Sequence, residues 1–134
     1  MKTIIISTVS AMITMAAIDA VWLKVMFSKF YNPQIGHLLA ETPKLIPAIL
    51  FYIIFASALT FFVILPAISN DSSLLKTFVI GGFFGLVAYA TYDLTSHALI
   101  KDWPAIVSVV DIAWGAFLTG TVSICTVAIT KFFS

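Results

Sequence analysis

Four long apolar runs, separated by short polar breaks, organise this chain. They cover roughly Ile4–Leu23, Ile46–Ile68, Thr77–Ala98 and Pro104–Ile129. Each approaches or exceeds the ~20 residues that an α-helix needs to cross a bilayer. Hydrocarbon offers no partner for backbone N–H and C=O groups, so runs of this length predict helices, which satisfy those groups internally. The expected fold is an all-α membrane protein, a four-transmembrane-helix antiparallel bundle, with residues 1–134 forming a single transmembrane domain. The first run is too long for a signal-peptide core, and no small-x-small cleavage site follows it, so it reads as a true span.

The breaks differ in character. Ser69-Asn70-Asp71-Ser72-Ser73 reads as a polar turn followed by a helix start. The connection from Lys24 to Lys44 is long and carries Phe27, Phe30, Tyr31, Ile35, Leu38 and Leu39. Structureless loops of that length are uncommon, and this one is apolar. It predicts an interfacial loop with a short helix between helices 1 and 2, turning at Asn32-Pro33 and running through Ala40. Ile35, Leu38 and Leu39 would form one face against the mouth of the bundle. The last link, Leu99 to Trp103, is tight.

Composition agrees with the pattern. Apolar residues make up 61%, charged residues 10%, and mean hydropathy is +1.11. These values exclude an ordinary soluble globule. Net charge is +1 with no arginine and no basic run, which excludes nucleic acid as a partner class. The single cysteine, Cys125, excludes an internal disulfide and any cysteine-based metal site, and reads as a small apolar filler. Lys2, Lys76 and Lys131 flank one side of the bundle, and Lys24, Lys29, Lys44 and Lys101 the other. So small a bias leaves orientation to the flanks of the first helix, where Lys24 and Lys29 would place the first loop in the cytoplasm.

Against this background three acids stand out, Asp19, Asp93 and Asp111. An even number of spans brings the end of helix 1, the end of helix 3 and the start of helix 4 to the same face. All three carboxyls then lie at similar depth in one leaflet. A charged group at a helix centre costs roughly 2.5 to 3.5 kcal/mol on insertion scales, so three together predict a polar site. All three Trp and all four Tyr fall in the same half, although an interfacial aromatic belt would populate both sides.

Helix 3 is densest in candidate chemistry. Tyr89, Asp93 and His97 follow at i, i+4 and i+8, with Tyr92 beside Tyr89. Gly81 and Gly85 form a GxxxG pair one turn further in, which would turn this face toward a neighbouring helix. Helix 1 ends on Asp19-x-x-Trp22 and helix 4 begins with Asp111-x-x-Trp114-Gly115, so each acid shares a face with an indole. For acid–base work the catalytic candidates are Asp93, Asp111, His97, Tyr89 and Tyr92. Asp19, Trp22, Tyr52, Trp103 and Trp114 are the ligand-binding candidates. The bland alternative makes Asp93 interhelical glue and the tryptophans interface anchors. His37 and Glu41, with Asp93 and His97, form two i,i+4 pairs of the kind a metal site uses, provided the loop folds over helix 3. No cofactor motif is present, and no glycine-rich phosphate loop.

Taken together, the stretches from Asp19 to Leu23, Ile35 to Gly36, Pro47 to Tyr52, Ala88 to Thr95, Trp103 to Pro104 and Asp111 to Gly115 resemble a family of small bacterial inner-membrane proteins. That family is catalogued as predicted membrane proteins, a domain of unknown function. Its pattern usually continues Thr95 with Asn, whereas Ser96 stands here. The resemblance implies a four-span, multi-pass protein of the bacterial inner membrane and no established activity. The residues themselves lead first to a site that binds, and in an enzymatic version modifies by acid–base chemistry, an amphipathic lipid-like ligand. A small proton- or cation-coupled transporter working as a homo-oligomer is the second reading. An accessory subunit packing on a larger partner through the Gly81/Gly85 stripe is the third.

Overall fold

Apolar length becomes helix at all four places. The computed structural model describes residues 1–134 and contains four helices long and apolar enough to cross a membrane. They are α1 (Lys2–Leu38), α2 (Leu45–Ser69), α3 (Leu74–Leu99) and α4 (Ala105–Phe133). The helices form a four-helix antiparallel bundle in which α3 and α4 pack most extensively, α4 also packs on α1, and α1 on α2. The fourth seam is largely open: α2 meets α3 along Thr60–Ile64 and through the Phe55–Phe84 ring pair, with centroids 5.5 Å apart.

The long connection after Lys24 departs from expectation. It is not a separate loop and helix, because α1 runs on from Met26 through a π-helical turn (Phe27–Tyr31), one helical turn (Asn32–Ile35) and a 3₁₀ turn (Gly36–Leu38). A proline ring clashes with the carbonyl one turn earlier, and a wider turn relieves that clash. Pro33 lies two residues past this π turn, and Pro66 lies two residues past the other, Thr60–Ile64 in α2. Asn32-Pro33 therefore reshapes the helix without ending it. Tyr31 and Ile35 pack with Trp103 and Val107 at the mouth of the bundle. Beyond them Leu38 and Leu39 stay largely uncovered, at 41% and 38% exposure, so only Ile35 of the expected apolar face is buried.

Glycine sets the α3–α4 spacing. A Cβ at Gly81 would collide with Ser123, one at Gly85 with the Gly115 carbonyl and Thr119, and one at Gly115 with the Tyr89 ring. Only residues without a side chain allow backbones this close. At the far end Ser73 caps α3, its Oγ accepting from the Lys76 N–H at 3.1 Å, as the polar turn predicts. The half of the bundle near the termini is less uniformly apolar than its sequence suggests. Ser7, Thr60, Thr77, Thr119, Ser123, Thr126 and Thr130 are all buried there, with Ser7 and Thr130 hydroxyls 3.0 Å apart. Between these hydroxyls and the acidic end lies a tightly packed apolar layer, including Met15, Leu59 and Leu118.

Candidate functional site

At the end of the bundle opposite the termini, a cavity of about 600 Å³ lies between α1, α3 and α4. Asp19, Asp93 and Asp111 all line it, together with Trp22, Trp103, Trp114, Tyr31, Tyr89 and Tyr92. Three acids from three helices meet because the even span count brings the end of α1, the end of α3 and the start of α4 to one face. The continuation of α1 supplies Phe27, Tyr31 and Ile35 to the same wall, and Leu39 joins it just past the helix end.

The three carboxyls are in different states. Each Asp19 oxygen has a protein donor: Tyr52 OH donates to Oδ2 at 2.8 Å, and Trp114 Nε1 donates to Oδ1 at 3.1 Å. Asp111 is partly satisfied, with Tyr31 OH donating to Oδ1 at 2.8 Å. Tyr31 OH in turn accepts from Trp22 Nε1 at 3.0 Å. Asp93 has 0% exposure, and its carboxyl receives no N–H or hydroxyl donor; the Asp111 carboxyl lies within hydrogen-bonding reach of it. Its backbone carbonyl, by contrast, accepts from Ser108 Oγ at 3.1 Å, and Ser108 Oγ accepts from Trp103 Nε1 at 3.1 Å. That relay pins the Asp93 backbone to α4, while no N–H or hydroxyl of the protein reaches its carboxyl.

The two D-x-x-W pairs frame one cavity, but crosswise. Trp114 of α4 serves Asp19 of α1, while Trp22 of α1 reaches Asp111 of α4 through Tyr31. The two indoles stack face to face, with centroids 4.1 Å apart and planes at 7°. Tyr89 lies against Gly115, and Tyr92 meets Trp103 edge to face at 5.8 Å. Tyr52 does not line the cavity and acts only through Asp19.

His97 is exposed and does not line the cavity. The buried face of α3 passes from Asp93 to Ser96, a step of three, so the expected step of four carries His97 away from the interior. His37 and Glu41 are exposed as well, and no three His, Cys, Asp or Glu side chains gather as a metal would need. The residues offered for a metal are not assembled. Tyr31, Ser108 and Lys24 are members of the site or its supports that the sequence pattern did not single out. Only the apolar content around Tyr31 hinted that its segment returns to the bundle.

The Tyr89, Tyr92 and Asp111 side chains also border a second cavity of about 340 Å³, which includes Phe51 of α2. It occupies the α2–α3 seam one turn from the Phe55–Phe84 pair, and Tyr89, Tyr92 and Asp111 line both cavities.

The family model described as "Predicted membrane protein (DUF2177)" matches residues 4–128. The chain belongs to that family. No curated protein and no solved structure matches it. As a family member it is a multi-pass membrane protein with four spans, consistent with the four helices.

Proposed function

We propose that the protein binds an amphipathic, lipid-like molecule within one leaflet of the bacterial inner membrane, its polar head at Asp93 and Asp111. The observation that carries this reading is the Asp93 carboxyl, wholly buried on the wall of the 600 Å³ cavity with no N–H or hydroxyl donor from the protein. A buried polar group without a hydrogen bond costs several kcal/mol in an apolar setting. A ligand donor would offset that cost more fully than the neighbouring Asp111 carboxyl, which can share at most one proton with Asp93. The seam beside Phe51 gives the apolar part of such a molecule direct access from lipid.

In the enzymatic form of this reading Asp93 transfers the proton, Tyr92 or Tyr89 is its partner, and Asp111 holds developing charge. Transport is less well supported. The packed layer of Met15, Leu59 and Leu118 lies where a path to the far side would have to run, and all three are at most 1% exposed.

Native mass spectrometry of the purified chain, titrated with a lipid extract of its host membrane, tests the reading. Wild type should acquire a discrete mass that Asp93→Leu does not, while Cys125→Ser behaves as wild type. No mass addition to wild type, or equal addition to Asp93→Leu, would overturn it.

A further inference from the structure

The unused hydrogen-bonding capacity at the site specifies what kind of head belongs there. Three carboxyl oxygens of residues on the cavity wall receive no N–H or hydroxyl donor: Asp93 Oδ1, Asp93 Oδ2 and Asp111 Oδ2, the two carboxyls lying within hydrogen-bonding reach of each other. The donors already in place are committed elsewhere, since Tyr52 and Trp114 serve Asp19 and Tyr31 serves Asp111 Oδ1. We propose that the ligand is a long-chain primary amine, or a lipid ending in one, whose ammonium sits between Asp93 and Asp111 and whose chain lies in the α2–α3 seam. This rests on the amphiphile reading above and narrows it to a chemical class.

The class follows from donor count and charge. A primary ammonium carries three N–H donors, one for each free acceptor. A hydroxyl head brings one donor, and a quaternary ammonium brings none and leaves every oxygen unpaired. A carboxylate or phosphate head would meet three acids and be repelled. The stacked Trp22 and Trp114 indoles on the same wall add an electron-rich surface that favours a cation. Lys24, also on the wall, is the one protein ammonium near these acids, and it makes no ion pair with them. The chain's single ion pair, Lys131 with Asp71 at 3.0 Å, lies at the opposite end of the bundle.

The path for the chain follows from the open seam. The 340 Å³ cavity beside Tyr89, Tyr92 and Asp111 shares Ala88 with a further cavity of about 330 Å³, whose lining is entirely apolar and includes Phe62, Val63, Ile80 and Phe83. From Asp93 to Ile80 the seam runs about 20 Å along α3 at 1.5 Å per residue. It begins at the carboxyls and becomes wholly apolar toward the bilayer interior. That sequence of surfaces matches one charged head followed by one hydrocarbon tail.

The full chain in phosphatidylcholine nanodiscs, titrated with hexadecylamine, provides the test, with binding read by native mass spectrometry and by indole fluorescence of Trp22 and Trp114. Hexadecylamine should bind tighter than hexadecyltrimethylammonium by roughly ten- to a hundredfold, the scale set by leaving buried acceptors unpaired. Asp93→Asn should remove that preference. Ala88→Phe should weaken hexadecylamine toward the level of tail-less butylamine without changing butylamine itself. Lys24→Met, which removes a competing ammonium from the wall, should tighten binding.

Equal affinity for the primary and quaternary amines would overturn the proposal. So would a loss of fold on Lys24→Met, which would mean the acids serve Lys24. If palmitate or hexadecanol binds in an Asp93-dependent way and hexadecylamine does not, the amine class falls and the amphiphile reading stands. If none of these amphiphiles binds, both fall.

Discussion

Trp22 and Trp114 stack at 4.1 Å across the α1–α4 interface, yet each indole N–H serves the acid of the opposite helix. Trp114 bonds Asp19 directly, and Trp22 reaches Asp111 through the Tyr31 hydroxyl. The stack thus holds two carboxyls in place, while no N–H or hydroxyl of the protein holds the Asp93 carboxyl. This division separates the acids into structural and available ones, and the consequences are measurable.

Asp19→Leu should destabilise the protein and Asp93→Leu should not. The first strands the Tyr52 hydroxyl and the Trp114 N–H, at about 1–3 kcal/mol for each buried group left unpaired. The second removes a carboxyl that takes no N–H or hydroxyl donor, and its neighbour Asp111 keeps the Tyr31 bond. Unfolding of both variants from mixed micelles checks the order. A larger loss for Asp93→Leu would make Asp93 structural.

Tyr31→Phe should loosen the continuation of α1. It removes the bridge between Trp22 and Asp111 but keeps the ring packed on Trp103 and Val107. Hydrogen exchange across residues 27–39 should quicken, with little change in α2. Trp22→Phe, which leaves the Tyr31–Asp111 bond intact, should have the smaller effect. Unchanged exchange in Tyr31→Phe would mean that apolar packing alone anchors the segment.

Gly115→Ala should displace Tyr89 and cost about 1–3 kcal/mol, the usual range for forcing extra atoms into a packed interface. Combining it with Tyr89→Ala should recover most of the lost stability, because the new methyl then faces vacated space. Additive losses in the double variant would show that Gly115 matters for something other than the Tyr89 contact.

Antiparallel order predicts opposite labelling of the two inter-helix links flanking α3. In a Cys125→Ser background, thiols placed at Asn70 and at Lys101 should react with impermeant reagent from opposite faces of the membrane. Labelling of both from one face would contradict the arrangement of spans.

The spans, their antiparallel order and the gathering of the acids at one end were all legible in the sequence. Hydrocarbon length and span parity are one-dimensional properties, and the depth of Asp19, Asp93 and Asp111 follows from them alone. Rotation about each helix axis is not one-dimensional. A pattern of four between Tyr89, Asp93 and His97 fits a stripe, but where α4 meets α3 decides whether the stripe proceeds to Ser96 or to His97, and packing chose Ser96. The same holds for the connection after Lys24. Its lysines and Asn32-Pro33 look like a break, yet a π turn absorbs the proline and the helix continues. Hydrogen-bond partnership depended most on tertiary structure. Three aspartates look equivalent along the chain, and only the folded bundle gives Asp19 two donors, Asp111 one and Asp93 none. A short-range bond depends on ångström-scale placement of side chains from different helices, whereas insertion into a bilayer depends only on how much apolar length each helix carries.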